Sequence, residues 1–185
     1  MWESLAEAAS FETESLILRP FAFSDAEDLF AIVSSAENTT FIYPPLPTLS
    51  ACRTLLVQAF MRQPLGIWAI ESKDSGQMIG AIRLENIQQS VGQAEIGYFL
   101  HRDYWRQGLM TQALNRLIFL AFRRFGMKKL IIKTHKDNLA SQQLAEKTGF
   151  HCFRTYKGSD RHSHQMRHYK DYRYLKKDYD IKEKT

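Results

Sequence analysis

The stretch "AEIGYFLHRDYWRQGLMTQAL" (94–114) decides the fold. Its first seven residues read as a strand that carries Glu95, and a helical pattern takes over from Thr111. Between them stands one glycine, Gly108, where the chain must turn. A helix start presents unpaired N–H groups and about half a positive charge, so a glycine loop that aims them outward suits phosphate or pyrophosphate. Neither G-x-G-x-x-G nor G-x-x-x-x-G-K-[ST] occurs, so neither the dinucleotide fingerprint nor the P-loop describes this turn. An isolated glycine also serves an ordinary strand-to-helix turn, and only the surrounding pattern separates the two readings.

Downstream, Leu114, Leu117, Ile118, Ala121, Phe122 and Phe125 recur at spacings of three and four, which paints one buried helix face, and Gly126 is placed to cap it. "KKLIIKTH" follows as a strand. "NLASQQLAEKTG" is a short helix with Asn138 as N-cap and Gly149 as its stop, and the remainder alternates aromatic and polar residues as a closing strand pair. Upstream, "GIWAIES", "MIGAIRLENI" and "AEIGYFL" are joined by short turn signals, the pattern of an antiparallel meander. "SLILRPF" (15–21) opens the fold as a strand, and Ser24 with Glu27 has the spacing of a capping box for the first helix. The proline cluster "YPPLPT" (43–48) excludes regular structure, and "LSACRTLLVQAFMRQ" reads as a second helix stopping before Pro64. The predicted order is β α α β β β α β α β β, an α/β (α+β) arrangement of a mixed, mostly antiparallel sheet with about four helices.

With 185 residues, 44% of them hydrophobic, the chain can bury the core of one domain, expected over 1–185 with its body at about 12–177 and a charged tail at 178–185. Two cysteines cannot make a disulfide framework, which fits a reducing compartment and a cytoplasmic protein. The N-terminus has no apolar signal region, and no run reaches the roughly 18 apolar residues of a membrane span. The net charge of +5 is uneven: residues 154–185 hold ten Lys or Arg against five Asp or Glu, and the preceding residues hold fifteen of each. Such a block attracts an acidic partner or is simply a solvated edge. His162, His164 and His168 lie near Cys152, but the aromatic-polar alternation explains that segment as an edge hairpin, and no metal is expected.

"AEIGYFLHRDYWRQGLMTQAL" followed by "KLIIKTHKDNLASQQLAEKTGF" resembles the GNAT superfamily of acetyl-CoA-dependent N-acetyltransferases. "ESLILRPFAFSDAEDLF" resembles the start of its ribosomal-protein (alanine or serine) N-acetyltransferase branch. The resemblance implies a sheet splayed between its fourth and fifth strands, with the acyl-pantetheine arm lying there as a pseudo-strand. It assigns Phe99 and Leu100 to that arm, Arg106, Gln107, Gly108, Met110 and Thr111 to the phosphates, and Asn138 and Ser141 to the pantetheine side. A tyrosine that often serves this family as general acid falls at Ala145, so that role passes to Ser141 or to water.

Acetyl transfer to an amine needs a neutral amine, an aligned carbonyl and donors for the developing oxyanion. Glu95 is the candidate base and a backbone N–H at Phe99 or Leu100 the candidate donor. Acetyl-CoA is the expected co-substrate, and the acceptor is an amine, foremost the N-terminus of an acidic protein. A small-molecule amine is the alternative acceptor. A non-enzymatic basic module that uses "RHYKDYRYLKKDY" on nucleic acid or an acidic protein is the alternative class, although a strand ending in a phosphate-ready helix start is of no use to it. No membrane association is expected, and the chain is read as a monomer or homodimer.

Overall fold

The computed structural model describes residues 1–42, 44–160 and 164–182; Tyr43, His162 and residues 183–185 of the expected tail lie outside the described residues. In chain order the elements are α1 (Trp2–Glu7), β1 (Phe11–Glu12), β2 (Leu16–Arg19), α2 (Ala26–Val33), α3 (Ala36–Thr39), α4 (Leu49–Leu55), β3 (Ile67–Ser72), β4 (Met78–Gln88) and β5 (Gln93–Leu100). Then come α5 (Leu109–Arg123), β6 (Lys129–His135), α6 (Leu139–Lys147), β7 (His151–Ser159), β8 (Met166–Leu175) and α7 (Lys176–Lys182). The eight strands follow the order β1-β2-β3-β4-β5-β6-β8-β7. The β5–β6 pair is parallel, whereas β1–β2, β2–β3, β3–β4, β6–β8 and β7–β8 are antiparallel. This is the mixed, mostly antiparallel sheet expected, with the two-residue β1 added, so the fourth and fifth predicted strands are β5 and β6. Their ladder holds three pairs, from Gln93↔Lys129 to Glu95↔Ile131, and among the described residues Ile96 and Gly97 have no pair on β6.

The chain forms two compact units. The first holds Trp2–Arg83 and Tyr98–Arg116. Its core gathers Leu29, Ile32 and Val33 of α2, spaced three and one apart on one helix face, with Cys52, Leu56 and Phe60 spaced four apart, over Ala69 and Ala81 of the sheet. The second predicted helix is not one regular helix: α4 widens into a π-helical turn at Leu56–Met61, where the Arg62 amide reaches back five residues to the Val57 carbonyl. The capping box expected at Ser24 and Glu27 does not form. Asp25 takes that place instead, accepting from the Ala22 amide at 2.8 Å while the Arg19 guanidinium grips both its oxygens at 2.8 and 2.9 Å. A bidentate charged pair outcompetes a serine hydroxyl for the turn. Trp68 is fully buried and donates its indole N–H to the Ala8 carbonyl at 3.0 Å, which ties the α1 end to β3.

The second unit holds Met1, Leu84–Gly97 and the chain from Leu117. Phe122, Phe150, Tyr174 and Tyr179 form an aromatic cluster with centroids 5.3–6.0 Å apart. All six predicted face residues are buried, Phe125 just beyond the end of α5, and past that end the left-handed Gly126, at φ 72°, turns the chain so that the Met127 N–H reaches back six residues to the Ala121 carbonyl at 3.0 Å. The expected tail is in part structure: α7 buries Tyr179, and Arg123 pairs with Asp180 at 3.3 Å. Among the described residues there are seven α-helices against the four expected, and α1, α3 and α7 account for the excess. No described helix is long and apolar enough to cross a membrane.

Candidate functional site

Alternation along β5 sets the backbone directions at its end. The His101 amide donates to the Ile79 carbonyl of β4 at 2.7 Å, and the Phe99 carbonyl lies against Gly80 of the same strand. Residues 99 and 101 therefore address β4, and the Leu100 peptide groups point the other way. Trp105 confirms that direction by donating its indole N–H to the Leu100 carbonyl at 2.7 Å. Of the two amides the sequence offered as donors, Leu100 carries the outward one and Phe99 does not. Phe99 packs its ring on Phe60 at 6.2 Å.

Beyond Leu100 a short 3₁₀ turn, Arg102–Tyr104, leads into the loop. Arg106 at φ 61° and Gly108 at φ 77° are both left-handed, a backbone that turns successive N–H groups to one side. Among the described residues, none of the six backbone amides from Arg106 to Thr111 finds an acceptor; the first helical bond is Gln112 N–H to the Gly108 carbonyl at 3.0 Å. The first turn of α5 carries no acidic residue. Arg106, Gln107 and Gly108 are exposed and Met110 and Thr111 half-buried, so the predicted phosphate residues share one loop and one helical turn. The Gln107 side chain donates one amide hydrogen to the Asp103 carbonyl at 2.8 Å, which ties its carboxamide back toward the 3₁₀ turn. The arrangement fits a diphosphate group: several convergent amides, a helix start and a neighbouring guanidinium.

Gln112 was not marked by sequence reasoning. Its carbonyl oxygen accepts from the Thr13 hydroxyl at 2.9 Å and the Ser15 amide at 3.2 Å, and its amide nitrogen reaches the Ser15 hydroxyl at 3.3 Å. These bonds pin the start of α5 to the β1–β2 turn. Ninety-odd residues separate the partners in sequence, so no local signal points to them.

In the second unit Glu95 is mostly buried, and its carboxylate holds the Lys133 ammonium at 2.7 Å. Lys133 is opposite Asp171 on β8, and Asp171 is opposite Arg154 on β7, which it binds at 2.7 Å. Glu95, Lys133, Asp171 and Arg154 thus alternate in sign across four strands. Burial draws Lys133 down, but the hydrogen bond and field of Glu95, with the fields of Asp171 and Tyr156, prevail and hold its pKa above the usual lysine value. Lys133 was missed too, although it occupies an exposed alternate position of "KLIIKTH". Asn138 caps α6 as expected, its side-chain oxygen accepting from the Ser141 amide at 3.1 Å. Ala145, where the family's tyrosine would stand, is fully buried.

A family profile described as the acetyltransferase (GNAT) domain matches residues 15–151, more than half of the chain. Over 145 residues the chain is 32% identical to the uncharacterized N-acetyltransferase YoaA of Bacillus subtilis (strain 168), covering 75% of this chain and 81% of that protein. Over 74 residues it is 35% identical to the ribosomal-protein-serine acetyltransferase of Escherichia coli (strain K12), covering 40% of this chain and 41% of that one. The crystal structure of the microcin C7 self immunity acetyltransferase MccE in complex with acetyl-CoA and AMP superposes with a TM-score of 0.77 at 21% identity, over 88% of this chain and 93% of its own. At that identity the likeness shows the shared fold.

Proposed function

The chain belongs to the GNAT family of acetyltransferases, and from that premise we propose that it moves the acetyl group of acetyl-CoA to the α-amine of a protein or peptide N-terminus. The observation that carries the co-substrate is the run of six unpartnered amides from Arg106 to Thr111. They bind the pyrophosphate with help from the Arg106 guanidinium and the Thr111 hydroxyl, while Asn138 and Ser141 contact the pantetheine side. The Leu100 N–H, turned away from β4, donates to the thioester carbonyl oxygen and gains strength as negative charge grows there. The amine nitrogen bonds to the carbonyl carbon as the carbon–sulfur bond breaks. Glu95 takes the amine's proton directly or through a water, with Lys133 holding its carboxylate in place, and Ser141 or water returns a proton to the thiolate. An α-amine with a pKa of about 8 is partly neutral already, so positioning supplies much of the acceleration.

The overlap with the ribosomal-protein-serine acetyltransferase supports a protein N-terminus as acceptor. The basic balance of residues 154–185 favours acidic acceptors and disfavours polyamines. The test is kcat/KM for an acidic N-terminal peptide, a neutral one and spermidine, read by free thiol release at two ionic strengths. It is repeated with the exposed Lys157 and Lys177 changed to Glu. Acidic peptides are expected to lead and to lose that lead in salt or in the variant. Unacetylated peptides, or a spermidine preference, would refute the α-amine acceptor.

A further inference from the structure

Gly80 stands on β4 where the strand breaks register. β3 pairs Ile70 with Gly80 and Glu71 with Met78, so Ile79 is an extra residue, a β-bulge. The bulge turns the Ile79 carbonyl onto the His101 amide at 2.7 Å and brings Gly80 beneath the end of β5. A Cβ built on Gly80 would stand 2.3 Å from the Phe99 carbonyl oxygen and 3.0 Å from the Leu100 Cα. Both are backbone atoms, so no rotamer change relieves the contact. Gly80 is not in the left-handed region, unlike Gly108, so closeness and not φ demands the glycine.

We propose that Gly80 is a positioning residue for acetyl transfer: with the Ile79 bulge it seats the end of β5 so that the Leu100 amide meets the acyl carbonyl. This rests on the reading of Leu100 as the carbonyl's donor. An alanine at position 80 must push Phe99 and Leu100 away by about 1 Å to restore ordinary contact, and a shift of that size at a preorganised donor costs on the order of 10- to 100-fold in rate. The phosphate loop at 106–111 is not part of that contact, so affinity for the nucleotide end is retained.

The experiment measures the infrared carbonyl stretch of carbonyl-¹³C acetyl-CoA bound without acceptor, together with CoA affinity by calorimetry and steady-state kcat. In wild type the band is expected below its position in solution. In Gly80→Ala it moves back toward the free value, kcat falls 10- to 100-fold, and CoA affinity stays within about threefold. A second pair of variants breaks the same contact from the β5 side should that protein fail to fold. His101 has φ −57°, a value proline adopts, so His101→Pro removes the imidazole and replaces the amide hydrogen that grips Ile79 with a ring methylene that must push the Ile79 carbonyl away, whereas His101→Ala removes the imidazole alone. His101→Pro is expected to move the band as Gly80→Ala does, and His101→Ala to leave it near wild type. A shifted wild-type band that Gly80→Ala or His101→Pro leaves in place overturns the positioning role. A wild-type band already at the free value overturns the Leu100 reading itself, while CoA binding in the same calorimetry keeps the phosphate loop standing.

Discussion

Replacing Gly108 separates strain, bulk and charge at the proposed phosphate loop. A Cβ on Gly108 meets no atom within 4 Å, so alanine brings no clash with the protein. Its cost is the left-handed φ of 77°, about 1–2 kcal/mol for an L-residue. In a chain of this size that is a drop in Tm of roughly 2–8 °C at 2–4 °C per kcal/mol. Glutamate adds the same strain and sets a carboxylate among the amides of residues 106–111. At about 4 Å from a phosphate charge, one like-charge pair costs about 4 kcal/mol at an effective dielectric of 20 and about half that with solvent around it, roughly 30- to 1000-fold in Kd. Glutamine shares the bulk and the strain without the charge. Calorimetry with CoA on Gly108→Ala, Gly108→Gln and Gly108→Glu therefore yields each component in turn, with thermal melts as the folding control. The Glu–Gln gap is expected to narrow between about 0.05 and 0.5 M salt as screening sets in. Folded Gly108→Glu and Gly108→Gln proteins with equal CoA affinity would refute the placement of phosphate at this loop.

Glu95→Gln is expected to lower kcat most at low pH, where few acceptor amines are neutral, and to leave acetyl-CoA affinity nearly unchanged; a pH–rate profile equal to wild type removes Glu95 as the base. Lys133, with its pKa raised in the folded state, contributes stability that is complete below the unfolded lysine value of about 10.4 and lost as pH rises through the folded one. The melting difference between wild type and Lys133→Met is therefore expected to hold from pH 6 to 9 and shrink above about pH 10.4, and a difference that grows there contradicts the Glu95 pairing. Gln112→Ala removes three hydrogen bonds that anchor the start of α5. It is expected to cost about 1–3 kcal/mol in denaturant unfolding and to weaken CoA binding with it. Full stability would show that the helix start is held by packing alone.

What the sequence disclosed is what short-range physics controls. The α5 face, the Asn138 cap and the turns at Gly108 and Gly126 are each decided within about one helical turn. The three short helices escaped because two turns or fewer show no period, and Tyr179 draws α7 into order only through Phe122 and Tyr174, which lie elsewhere in the chain. Asp25 displaced Ser24 at the first helix because Arg19 reaches it only once β2 is in place. Lys133 meets Glu95 through a parallel register that no local pattern specifies.

The choice between Phe99 and Leu100 carries the same lesson into the chemistry. Both lie on one strand, and their amides face opposite edges because a strand alternates. Sequence fixes that alternation but not its phase. The phase is set by one bond, His101 N–H to the Ile79 carbonyl, and that bond exists because β4 carries an extra residue at Ile79 beside a glycine that admits the Phe99 carbonyl. A register slip of one residue at that bulge would turn the Phe99 amide outward and the Leu100 amide into the sheet, with every motif of the family still intact.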